Sequence, residues 1–120
     1  MIYSAAAIAI AAALAHFVKL ATILGAHPFW ATQALLVGAA VGFVLTFARR
    51  PSDIVKIFVF FGLAAVSALA ASYGKTRFAA SYAEDVQAGQ LWFFGWYGIT
   101  SFCFAAIGLT AKHLLLRKTA

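Results

Sequence analysis

Acidic side chains are nearly missing: 120 residues hold three Asp and Glu against nine Lys and Arg, a formal net charge of +6. Charged residues of both signs make up 10% of the chain, where a soluble domain carries about 25%. A globule of this composition lacks the charge to cover its surface in water. The one cysteine, Cys103, lies in an apolar stretch, which excludes an intramolecular disulfide and any paired-cysteine zinc or redox motif. Its expected role is packing. The three acids all lie outside the apolar runs, so no carboxylate pair, HExxH or Ser/His/Asp set stands at membrane depth, and there is no phosphate-binding glycine loop. No enzymatic activity, metal or cofactor is therefore expected. Haem ligation fails on placement, since His16 lies in the outer half of its segment and His113 at the inner end of another.

What is present is apolar. Hydrophobic residues make up 65% of the chain and the mean hydropathy is +0.96. A spanning helix takes about 20 apolar residues, so this length has room for about four or five spans and no separate soluble domain. Four runs are separated by clear breaks: Gly25-Ala26-His27-Pro28, then Arg49-Arg50-Pro51-Ser52-Asp53, then Gly74-Lys75. Ser52 or Asp53 is positioned to cap the third helix. The prediction is an all-α integral membrane protein, a single domain over residues 1–120. It forms a four-transmembrane-helix bundle with spans at 2–24, 29–48, 54–73 and 91–114. Residues 1–15 contain no Lys or Arg, unlike a signal peptide, so the first segment is expected to be retained.

The connection at 75–90 has a period of its own. Phe78, Tyr82 and Val86 recur every four residues, while Arg77, Ser81, Glu84, Asp85 and Ala88 fill the opposite face. This pattern predicts a short interfacial helix between helices 3 and 4, lying flat on the outer surface.

The bases sit at the ends of apolar runs with no aromatic interleaving, which argues against a nucleic-acid partner and for topology signals. Arg49, Arg50, Lys56, Lys112, Arg117 and Lys118 fall on one side of a four-span plan. The other side has Lys75, Arg77 and Lys19. The positive-inside rule then puts both termini in the cytoplasm, in a bacterial inner membrane. Trp30, Tyr73, Trp92, Trp96 and Tyr97 fall near the outer helix ends, where amphipathic rings prefer the headgroup layer.

Helices associate in lipid through close contact of small residues. Ala5, Ala9 and Ala13, then Ala64, Ala68 and Ser72, repeat at four-residue spacing, and Gly38 and Gly42 form a GxxxG pair. That pair serves an internal contact or a homodimer, and the internal contact is favoured. The fragments at 41–46 and 107–110 both precede a basic pair, a hint of two similar hairpins.

Polar groups at membrane depth are functional candidates. A tight hairpin centred near Ala26 levels Lys19 with Gln33, and His16 lies one turn deeper on the Lys19 face. His16, Lys19 and Gln33 are the candidate substrate-binding cluster, opening outward, with Glu84 and Asp85 as possible counter-ions. Such a cluster attracts an anion, a lipid phosphate or a carboxylate.

Four spans in 120 residues resemble, in plan, two families of small transporter. The small multidrug resistance family carries a membrane-embedded glutamate in its first helix; here that helix has only His16 and Lys19, which argues against proton-coupled cation export. The basic pairs Arg49-Arg50 and Arg117-Lys118 resemble the pattern of the GtrA-like family, whose likeness implies flipping of lipid-linked sugars. The Asn and aromatic residues of that pattern are missing, and the outer connection is longer. The expected function is transport or flipping of an anionic or amphiphilic molecule or lipid. The alternative is a non-catalytic accessory subunit of a larger membrane complex. The bilayer is the expected partner in either case.

Overall fold

The computed structural model describes residues 2–24, 28–47, 52–81 and 85–119. The described residues hold five helices and no strand: α1 (Ile2–Phe17), α2 (Leu20–Leu24), α3 (Pro28–Leu45), α4 (Asp53–Ala80) and α5 (Val86–Thr119). Pro28 opens α3 at the one helical position where a missing N–H costs nothing. The Arg49-Arg50 pair, Pro51, Tyr82, Glu84 and the residues 25–27 expected to break the first hairpin lie outside the described residues, as do the side chains of Arg117 and Lys118.

The expected span at 2–24 is not one helix. It breaks at Lys19, and the α1 piece, at 16 residues, is about 24 Å long. The flat helix expected at 77–89 is also absent as a separate element. Residues 77–80 continue α4 and residues 86–89 begin α5. The apolar stripe read in the sequence has a different use: Phe78 packs on Gly89 and its ring lies 5.9 Å from that of Trp92. The neighbouring helix covers Phe78, while Val86 stands exposed and Tyr82 lies outside the described residues.

The turn between α4 and α5 is fastened by side chains. Ser81 Oγ donates to the Phe78 carbonyl (2.9 Å) and accepts from the Asp85 N–H (2.9 Å). Asp85 Oδ1 then accepts the Ala88 N–H at 3.0 Å, as an N-cap side chain does for the third residue of its helix. Asp85 is therefore a cap. Asp85→Ala is expected to cost about 1 kcal/mol, read as a lower thermal midpoint and faster amide exchange at Ala88, with Asp85→Ser restoring both.

α5 is the spine. It contacts α4, α3 and α1, whereas α4 contacts no described helix except α5. The result is a cluster of α1, α3 and α5 with α4 alongside, measuring 55 × 29 × 17 Å, rather than a ring of four helices. Small residues set each contact. A Cβ on Gly42 would lie 2.8 Å from Phe104 Cβ, and one on Gly95 would lie 2.8 Å from Ala71 Cβ. Two buried hydroxyls tie helices together: Ser4 Oγ donates to the Gly108 carbonyl and Thr100 Oγ1 to the Ala34 carbonyl, each at 2.8 Å. Ile8, Ala15, Leu35, Trp96 and Phe104 form the core beside them. Trp96, expected in the headgroup belt, is buried in that core, while Trp30 meets Trp92 edge-on at 5.5 Å.

Two helices, α4 and α5, are long and apolar enough to cross a membrane; α1 and α3 are shorter apolar helices. Only 22% of the most apolar window of α4 is buried inside the protein. A core helix of a soluble protein would have most of that window covered. Phe58, Val66 and Leu69 on α4, and Phe17 and Ile23 at the α1–α2 break, all stand exposed.

Candidate functional site

Lys19 has φ +53°, the left-handed region that side chains other than glycine and asparagine seldom occupy. Its N–H donates to the His16 carbonyl at 3.1 Å, closing α1 in the manner of a C-terminal cap. Its carbonyl accepts from the Ile23 N–H at 3.0 Å, opening α2. One residue thus ends a helix and begins the next.

The break opens a cleft of about 590 Å³ between α1, α2 and α3. His16, Phe17, Lys19 and Thr22 line one side; Ala31, Thr32 and Leu35 line the other. His16 and Lys19 are therefore brought together, as their spacing predicts. Gln33 is exposed and does not line the cleft. Thr32 takes its place, with Oγ1 3.4 Å from His16 Nδ1, a long contact whose direction depends on the ring tautomer. Matching positions across a hairpin sets depth and not the face of α3 that a residue occupies, and Thr32 and Gln33 point about 100° apart.

Charge in the cleft is of one sign. Of the two acids expected near the mouth, Asp85 caps α5, and Glu84 lies outside the described residues. Thr22 and Thr32 add hydroxyl donors to the Lys19 ammonium. Among the described residues no three His, Cys, Asp or Glu side chains cluster as metal ligands. Lys19 gives the described lining its one formal charge, and the hydroxyl beside the imidazole is that of Thr32.

A second polar group stands at the opposite end, where only topology signals are expected. Asp53, in the first turn of α4, receives Lys56 Nζ at 3.2 Å and Lys112 Nζ at 3.6 Å, so it bridges α4 to the far part of α5. Lys56 is 4% exposed. The i,i+3 spacing of Asp53 and Lys56 was visible in the sequence; the reach of Lys112 follows from the antiparallel hairpin. Gly38 and Gly42 face α5, at Thr100 and at Ser101, Phe104 and Ala105 respectively, which makes the GxxxG pair an internal seam.

No protein family, curated protein or solved structure matches the chain.

Proposed function

We propose that the chain is an integral membrane protein of four spans that holds the anionic head of an amphiphile or lipid at the α1–α2 break, in transport or flipping of that molecule. The observation that carries this reading is the shared cleft of His16, Lys19, Thr22 and Thr32, cationic and with no carboxylate among the described residues that line it. Exposed Phe17 and Ile23 stand beside it, so acyl chains have an apolar surface next to the charge. An ammonium set among lipid-facing side chains is costly without a counter-ion, and a lipid phosphate supplies one. In this reading α4 and α5 cross the bilayer fully, and the α1–α2 pair and α3 complete the four spans. The termini and the Asp53 end face the cytoplasm of a bacterial inner membrane.

Lys19→Gly tests the reading cleanly. The left-handed backbone suits glycine, so the substitution removes the charge and leaves stability within about 1 kcal/mol. One lysine near a lipid headgroup contributes about 1 kcal/mol, so affinity for phosphatidylglycerol in nanodiscs is expected to fall about fivefold, with little change for phosphatidylcholine. Equal phosphatidylglycerol binding by the folded variant rejects the site. Stoichiometric co-purification of another membrane protein, with no lipid preference, favours the accessory-subunit reading instead.

A further inference from the structure

α2 is only five residues long, and a second cleft, of about 250 Å³, lies on its other side against the α4–α5 pair. Leu24 forms one wall, Ser72 and Lys75 of α4 another, and Trp92 and Trp96 of α5 the floor. Ser72 and Lys75 are three residues apart on one helix face, and Trp92 and Trp96 four apart on theirs. Thr22 points α2 at the first cleft and Leu24 at this one.

The polar groups here converge without an acid. Lys75 pairs with no carboxylate among the described residues, whose ion pairs all involve Asp53 at the far end. Trp96 is 7% exposed, and its indole N–H meets no acceptor among those residues. No buried side-chain nitrogen is left sealed without a partner, so the indole N–H keeps access to the cleft it lines. A tryptophan this deep in a core normally spends its N–H on an acceptor.

We infer that this cleft is an anion-binding site, separate from the α1–α2 cleft, for the phosphate head of an amphiphile. Lys75 supplies the charge, and the Ser72 hydroxyl and Trp96 N–H supply two further hydrogen bonds. Three donors on three side chains match the several terminal oxygens of a phosphate. Leu24 and the Trp92 ring receive the first methylenes of the chain.

The test reads the Trp96 indole proton by NMR in the full-length ¹⁵N-labelled protein in neutral dodecyl maltoside micelles, with the signal assigned by Trp96→Phe. Dodecyl phosphate is expected to shift it downfield and saturably. Lys75→Gln, a change at an exposed position, weakens that response at least tenfold, while Lys19→Gly leaves it unchanged. If inorganic phosphate alone reproduces the shift, the site takes the free anion; if only dodecyl phosphate does, it takes a lipid. No shift with either probe overturns the assignment. So does a shift that survives Lys75→Gln, or one that disappears with Lys19→Gly while circular dichroism shows both variants folded.

Discussion

Gly42→Leu is expected to uncouple α3 from α5 and lower the thermal midpoint in detergent by about 10 °C or more, equivalent to about 3 kcal/mol. The reason is the identity of the atoms that a side chain would meet. The Cβ alone would lie 2.8 Å from Phe104 Cβ, 2.8 Å from the Ser101 carbonyl oxygen and 2.9 Å from the Ala105 nitrogen. Two of these belong to the backbone and the third is the first atom of its side chain, so none can rotate away. The helices must separate. Separation also strains the bond from Thr100 Oγ1 to the Ala34 carbonyl, two turns along the same seam. Gly62→Leu is the matched control: nothing lies within 4 Å of a Cβ there, and leucine is the better helix former, so the midpoint should hold or rise slightly. A Gly42→Leu midpoint equal to the wild type's would mean that this glycine does not set the helix contact.

That seam was legible in the sequence, because GxxxG repeats on one helix face and only small residues let two backbones approach this closely. The all-helical character and the starts of α3 and α4 were legible for similar reasons: Pro28 can start a helix, and α4 begins at Asp53, although Ser52 at its N-cap makes no side-chain cap bond. The break at Lys19 was not legible. Left-handed turns are normally marked by Gly or Asn, and a lysine inside an apolar run gives no such sign. The cleft's third member was not legible either, since depth along a hairpin does not tell Gln33 from its neighbour Thr32, which faces α1. The stripe of Phe78 and Val86 showed its period but not that Phe78 packs on Trp92 while Val86 stays exposed. Periodicity states that one face is apolar; it does not distinguish a membrane surface from Trp92 on the next helix.

The largest effect outside the seam is expected at the opposite end of the chain, from Asp53→Ala. The Asp53 carboxylate holds two ammonium groups, Lys56 at 3.2 Å and Lys112 at 3.6 Å. Removing it leaves two like charges beside each other, with Lys56 in a nearly solvent-free position. Breaking a buried pair in this way costs about 3–5 kcal/mol, and because a third of the Asp53 side chain is exposed the lower end, about 3 kcal/mol, applies. Lys56→Met should behave differently. It takes the desolvated charge away altogether, fills similar volume with an apolar chain and leaves Asp53 paired with Lys112, so stability should stay within about 1 kcal/mol of wild type. In the double variant, Lys56→Met should recover most of what Asp53→Ala loses, because it removes one of the two ammonium groups that the missing carboxylate leaves facing each other. Thermal midpoints of the two single variants and the double variant decide the point. Equal losses in both single variants, with no recovery in the double, would show that Asp53 and Lys56 act through independent contacts rather than as a charge pair.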